Sequence, residues 1–232
     1  MKIILLIVCG IVGYLLGSIN TSVILSRLVY KEDIREKGSG NAGTTNALRS
    51  FGKKAAVITL LGDFLKGILS VLLAWVLVPD GIEALAEVIT IPPRFLSGIS
   101  DGTKELAGVI AGAAAILGHN FPLYFGFKGG KGVLTSLAVM LMLAPIPALI
   151  ALIVFLVVVA ISRYVSLGSM TAAFILPFLI YFRGNYISQP GGFTYTFWLS
   201  LGVAVLVIIR HQANIGRLIR GEESKVFSKK KK

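Results

Sequence analysis

The chain has 232 residues, of which 55% are hydrophobic and 15% charged, with a formal net charge of +12 and a mean hydropathy of +0.83. A soluble domain carries about 25% charged residues, and the apolar residues here fall in long runs, so the composition excludes an ordinary water-soluble globule and points to a polytopic helical membrane protein. Period-2 alternation is absent, which disfavours a closed barrel, and a single cysteine, Cys9, excludes an intramolecular disulfide.

The first apolar run covers about 3–26 and follows one lysine, Lys2. Without a small-x-small cleavage site ahead of a soluble domain, it reads as a retained helix, not a removed signal. A polar, glycine-rich segment, 35–54, separates it from a second span over about 55–78. A third span covers about 105–121. The stretch 132–162 is apolar over 31 residues; as one helix it would be about 46 Å long, against about 30 Å of hydrocarbon core. Pro145 and Pro147 near its middle supply a turn, so it divides into a fourth span, 132–144, and a fifth, 147–162. The sixth covers about 165–182 and the seventh 193–210. The expected fold is all-α, a single domain over 1–232 with seven transmembrane helices and a basic tail from about 211.

Charge sets the orientation. The loops 27–54, 122–131 and 162–165, with the tail after 209, hold seven, two, one and eight of the 23 Lys and Arg residues. The positive-inside rule puts these on the cytoplasmic side and the N-terminus outside. The outer loop 79–103 carries Asp80, Glu83, Glu87 and Asp101. The basic excess thus reads as topology and contact with anionic lipid, not as a nucleic-acid footprint.

The polar islands share that cytoplasmic side: "GSGNAGTTNALRSFGKK", "GHNFPLYFGFKGGKGVLTS", "SRYVSLGS" and "RHQANIGRLIRGEESK". In the first, Gly38, Gly40 and Gly43 permit positive φ and expose N–H groups in the manner of an anion nest. Thr44, Thr45 and Asn46 add hydroxyl and amide groups, and Arg49 can pair bidentately with phosphate; the alternative is a soluble connector. In the second, Lys128 and Lys131 flank paired glycines where the fourth span begins, and a helix N-terminus suits phosphate. It is not a Walker A motif, because three residues, not four, separate Gly126 and Gly130 and Gly132 follows the lysine. His119 and His211 are candidate general bases or structural side chains. Two histidines without an acidic or cysteine cluster imply no metal site. Asp63 and Lys66 share a face of the second span at i and i+3; either they form a structural ion pair or Lys66 reaches a substrate phosphate. The residues alone indicate a membrane enzyme or carrier that handles a phosphorylated substrate.

The motifs "DIREKGSGNAGTTNALRSFGKKAA", "LGHNFPLYFGFKGGKGVLTSL", "SRYVSLGSM" and "RHQANIGRLIRGEESK" closely resemble those of the bacterial acyl-phosphate:glycerol-3-phosphate acyltransferases, the PlsY family, over about residues 12–225. One departure is "SINTSVIL" at 18–25, where relatives tend to carry a proline after the isoleucine. The resemblance implies a seven-helix enzyme of the bacterial plasma membrane that moves an acyl group from acyl phosphate to the 1-position of sn-glycerol 3-phosphate. The products would be lysophosphatidic acid and inorganic phosphate, at the start of phospholipid synthesis, with no cofactor and no nucleic-acid partner; a monomer is compatible with the sequence. It further implies that Ser39, Gly40, Asn41, Thr45, Asn46 and Arg49 line the site, that Gly129, Gly130 and Lys131 cradle phosphate, and that Ser166, His211 and Asn214 complete the pocket. Arg49 and Lys131 would bind phosphate, while Ser39 and Asn214 orient the reacting groups. The proton acceptor is either His211 or a phosphate oxygen of the donor. Ser39 as a covalent nucleophile is the alternative to direct transfer. An acyl-CoA-dependent acyltransferase would carry His-x4-Asp, but Tyr124 and Gly216 stand five residues after the two histidines. A transporter would call for inverted repeats and midplane broken helices.

Overall fold

The computed structural model describes residues 2–78, 102–184 and 194–226. The expectations about the acidic outer segment 79–103 fall almost wholly outside these residues, as do the terminal lysines of the tail. Among the described residues every regular element is helical. They are α1 (Lys2–Ser18), α2 (Thr21–Val29), a 3-10 turn (Ile34–Glu36), α3 (Thr44–Phe51), α4 (Lys53–Leu77), α5 (Gly102–Asn120), a second 3-10 turn (Leu123–Phe125), α6 (Val133–Leu143), α7 (Pro145–Ser162), α8 (Val165–Arg183), α9 (Tyr195–Arg210) and α10 (Gln212–Ile219).

Five stretches are long and apolar enough to cross a bilayer: Ile3–Val29, Lys53–Leu77, Gly102–Phe125, Pro145–Ser162 and Val165–Arg183. Two of the seven expected spans differ. Helix α6 is apolar but has only 11 residues, and α9 reaches the required length only together with α10, from which it is bent by 56°. The run 132–162 breaks at Ala144, immediately before Pro145, because a residue preceding proline is disfavoured in the helical region.

The chain forms two compact units, Met1–Pro145 and Ile146–Lys232. In the first, α1 lies directly on α5. A Cβ at Gly13 or Gly17 would collide with the carbonyl oxygens of Ala111 and Ala115, and one at Gly118 with that of Tyr14. In lipid, small residues that let backbones approach supply the dispersion contact that water would otherwise drive. Cys9, Ala74, Val78, Ala107 and Ala111 are buried around this seam, whereas Leu61, Leu65, Leu69 and Leu73 of α4 face outward. Large apolar groups outside and small ones inside suit a bilayer solvent.

The first apolar run is not one helix. It breaks at Ile19 and Asn20, although the chain carries no proline there. Asn20 takes an extended conformation (φ −89°, ψ 100°), and its Oδ1 accepts from Val23 N at 3.3 Å and Ser22 Oγ at 2.8 Å, so it caps α2. The break leaves the Ile19 carbonyl without its helical partner, and Lys66 Nζ donates to it at 2.9 Å. Lys66 Nζ also lies 2.9 Å from Asp63 Oδ1 and 2.9 Å from His119 Nδ1. Lys66 Nζ thus hydrogen-bonds the Ile19 carbonyl and His119 Nδ1 and forms an ion pair with Asp63. The ion-pair alternative for Asp63 and Lys66 is the arrangement present, with Lys66 among buried partners. Because an ammonium only donates, Nδ1 of His119 is the acceptor and the neutral ring carries its hydrogen on Nε2.

In the second unit α8 meets α7 at Gly168, where a Cβ would lie 3.0 Å from Phe155 O. Arg163, between the two helices, holds φ at +62°, and its carbonyl accepts from Val226 N at 2.8 Å. The polypeptide after α10 thus returns to the α7–α8 junction.

Lys66→Met strands Asp63 in the interior and is expected to destabilise by about 3–5 kcal/mol. Adding Asp63→Asn should recover part of that loss, as read from unfolding midpoints in detergent; a strictly additive double variant would show that the pair is uncoupled.

Candidate functional site

The segment from Tyr30 to Gly52 is fixed by its own side chains. Asp33 Oδ1 accepts from Arg35 N at 3.0 Å and Arg35 Nε at 2.9 Å, and Oδ2 accepts from Arg35 Nη2 at 2.7 Å and Arg27 Nη2 at 2.9 Å. The Arg35 side-chain hydrogen bond holds the Asp33 carboxyl well below the usual carboxylate range, against an upward push from partial burial. Arg35 also donates through Nη1 to Phe125 O at 2.7 Å and Lys128 O at 3.2 Å, which ties this segment to the next polar island. Asn46 is 1% exposed. Its Oδ1 accepts from Ser39 N at 2.9 Å, and its Nδ2 donates to Ile34 O at 3.1 Å and Lys37 O at 2.9 Å. Gly38 has φ +57°, and a Cβ there would strike Asn46 Oδ1, so glycine is required on both counts. Beneath the loop, Val23, Ile34, Ala42, Ala47 and Ala55 form an apolar cluster, and Tyr30 stacks on Phe51 at 4.4 Å.

Ser39, Gly40 and Arg49 are left exposed, with Asn41 and Thr45 half-buried. Gly43 gives α3 no side-chain cap, so the first-turn N–H groups of Thr44 and Thr45 gain no side-chain acceptor there. The connector alternative does not fit a loop pinned in this way. Asn46 is placed among the residues that shape the loop, its amide spent on the backbone.

Gly129 N donates to Asn120 O at 3.2 Å and Gly130 N to His119 O at 3.1 Å. These N–H groups close the C-terminus of α5. Small size is needed as well: a Cβ at Gly129 would strike His119 O, and one at Gly130 would strike His119 Nε2. That Cβ would also lie 2.5 Å from Ala42 O, so the two polar loops of this unit are in contact. Lys131 leads into α6, whose N-cap, Gly132, supplies no side-chain bond. Asn120, fully buried, has neither amide atom hydrogen-bonded, and its Nδ2 sits 3.0 Å from where a Gly132 Cβ would be. A buried amide without partners calls for a functional explanation.

The second unit holds the other predicted residues. Ser166 opens α8, His211 joins α9 to α10, and Asn214 lies on α10; all three are buried. Ser166 and Asn214 meet at one carboxylate, Glu223, which accepts at Oε1 from Ser166 Oγ (2.9 Å) and Asn214 Nδ2 (2.6 Å). Its Oε2 accepts from Arg217 Nε at 2.7 Å. Burial pushes the Glu223 carboxyl up, but Arg217, Asn214 and Ser166 outweigh it and hold it below its usual value. His211 Nδ1 lies 2.7 Å from Val207 O; a carbonyl only accepts, so Nδ1 carries the hydrogen and Nε2 is the basic nitrogen of the neutral ring.

Sequence reasoning passed over Asp33, Arg35, Asn120 and Glu223. Two of these carried a signal: Asp33 and Arg35 place opposite charges two residues apart, and Glu222 and Glu223 are the only acids in a strongly basic tail. Asn120 carried none, because its isolation depends on how α5 meets the α6 loop.

The depressed Asp33 carboxyl contributes stability above its unfolded value of about 3.9, and that contribution is lost as the pH falls through the lower folded value. Asp33→Asn is accordingly expected to lower the unfolding midpoint in detergent at pH 7 and to differ progressively less from the parent below about pH 4. A gap unchanged at pH 3 would refute the ion-pair account.

Residues 7–221 match the family model described as glycerol-3-phosphate acyltransferase. A glycerol-3-phosphate acyltransferase of Trichlorobacter lovleyi is 44% identical over 92% of this chain and 93% of its own. One from Clostridioides difficile is 40% identical over 99% of this chain and 100% of its own. Among solved structures, PlsY (YgiH), described as an integral membrane glycerol 3-phosphate acyltransferase, aligns in its glycerol 3-phosphate form with a TM-score of 0.75 at 32% identity, covering 95% of each chain. Its lysophosphatidic acid form aligns with a TM-score of 0.71 at 31% identity, over 95% of this chain and 94% of that one. Motif content, helical architecture and near-complete coverage agree, and this chain belongs to the glycerol-3-phosphate acyltransferase family.

Proposed function

We propose that the protein transfers an acyl group from acyl phosphate to the 1-position of sn-glycerol 3-phosphate, giving lysophosphatidic acid and inorganic phosphate as the first step of phospholipid synthesis. The observation that carries this reading is the pinned polar surface of the first unit. Two helix starts without side-chain caps, α3 and α6, belong to loops in contact, with Arg49 and Lys131 beside them and the buried amide of Asn120 next to Gly132. Helix N-termini, guanidinium and ammonium groups suit phosphate, and both substrates carry one. The solved relative bears glycerol 3-phosphate in one form and lysophosphatidic acid in another, a substrate and a product of this reaction.

Acyl phosphate is a mixed anhydride, and its phosphate is already a good leaving group. Catalysis then needs alignment and charge stabilisation more than covalent chemistry. Arg49, Lys131 and the first turn of α6 bind phosphate, Ser39 with Gly40, Asn41 and Thr45 contacts substrate at the loop tip, and Asn46 holds that tip in place. By the same family resemblance, Ser166, His211 and Asn214 contact substrate. The hydroxyl attacks the acyl carbon as the carbon–phosphate oxygen bond breaks. Its proton passes to Nε2 of His211 or to the departing phosphate. The distribution of lysine and arginine supports seven spans, with the N-terminus outside and the site at the cytoplasmic face of the plasma membrane.

Purified protein offered palmitoyl phosphate and palmitoyl-CoA in parallel is expected to release phosphate and form lysophosphatidic acid from the acyl phosphate alone. Turnover only with the thioester would overturn the donor, and inactivity with both in folded protein would favour a carrier. Arg49→Ala and Lys131→Ala should each lower kcat/KM for glycerol 3-phosphate by roughly 10- to 100-fold, the loss of one charge-assisted contact. His211→Ala should flatten the acidic limb of the pH–rate profile if the imidazole takes the proton, and an unchanged profile would leave that role to the phosphate.

A further inference from the structure

The tail after α9 contains two carboxylates, Glu222 and Glu223, and the fold treats them differently. Glu222 pairs with Arg220 at the surface, both 59% exposed. Glu223 is turned inward and 8% exposed, while Ser224 and Lys225 on its C-terminal side are exposed again. Burying a carboxylate is unfavourable unless its oxygens are satisfied, and here they are: Oε2 by Arg217 at 2.7 Å, Oε1 by Ser166 at 2.9 Å and Asn214 at 2.6 Å. The bond from Val226 N to Arg163 O holds the strand of tail that presents it.

An ionised carboxylate accepts and never donates. That has a directional consequence for Asn214. Its amide must turn Nδ2 toward Glu223, since the flipped amide would set Oδ1 against Oε1, acceptor against acceptor. The carbonyl end is thereby turned away from the tail. Ser166 is constrained in the same sense, because its only hydrogen is committed to Oε1 and just its lone pairs remain. A neutral partner such as glutamine could satisfy either amide orientation and would fix neither.

We propose that Glu223 is a positioning residue for acyl transfer: by accepting from Ser166 and Asn214 it locks the Asn214 amide with Oδ1 as the acceptor for the attacking hydroxyl of glycerol 3-phosphate. This rests on the reading of Asn214 as a substrate-facing residue. A hydroxyl attacking an acyl carbon is aimed by whatever accepts its hydrogen, and an N–H in that place would turn it away. Arg217 neutralises the carboxylate from its other oxygen, so Oε1 is free to take two donors. The module selects a hydroxyl-bearing acceptor.

The test compares four variants of the full-length protein under varied glycerol 3-phosphate, with whichever acyl donor supports turnover. Glu223→Gln should lower kcat by about tenfold or more, with KM changed by no more than about twofold. Asn214→Asp, which opposes two carboxylates, should be at least as impaired. The paired Asn214→Asp/Glu223→Gln variant restores a donor facing an acceptor and keeps an oxygen turned toward the hydroxyl, so it should regain about tenfold over Asn214→Asp alone. Asn214→Ala fixes the frame: full activity there would refute the substrate-facing reading itself. An inactive Asn214→Ala with parental kinetics in Glu223→Gln would overturn the role of Glu223 alone, as would a paired variant no better than Asn214→Asp. Should Glu223→Gln not purify folded, the paired variant, with every donor matched, carries the same test.

Discussion

In hydrocarbon, every backbone N–H and C=O must find its partner within the protein, and each departure of this chain from straight helix is built around that constraint. The α1–α2 break frees the Ile19 carbonyl, and Lys66 from α4 supplies the donor. That ammonium sits beside Asp63 and His119, so one buried cluster ties together α1, α4 and α5. From His119 the linkage continues, because its carbonyl receives Gly130 N and its ring packs against Gly130. A membrane-buried charge cluster thus sets the position of a polar loop at the end of α5.

The same accounting separates residues whose polar groups shape the loops from those left outward. Asn46, Gly38, Gly129, Gly130 and Lys66 all have the chemistry of ligand-binding groups, yet their polar atoms or their space are used internally. Ser39, Gly40, Arg49 and the beginning of α6 are what this scaffold leaves outward. In the second unit one carboxylate acts comparably, as Glu223 on the tail gathers Ser166, Asn214 and Arg217 from two helices.

The sequence by itself determined the membrane class, the approximate limits of the long apolar helices, and the break before Pro145. Each of these is local: hydropathy along a run, a proline with no N–H, charges counted between runs. It also determined the family, because whole motifs such as "EKGSGNAGTTNALRS" and "GFKGGKG" resemble those of its members. The tertiary structure decided what those residues do to one another. Nothing local distinguishes Asn46, which turns its amide onto the backbone at Ile34 and Lys37, from Asn41, which stays at the loop surface. Nothing local says that Lys66 completes a carbonyl 47 residues away, or that Gly129 and Gly130 close α5 instead of lying open. Glu223 is one of two adjacent glutamates in the sequence, and only packing selects which is buried. Hydrogen-bond partners are chosen across the fold, by which donors and acceptors the helix packing brings within 3 Å or so of each other, and that choice is absent from any single stretch of the chain.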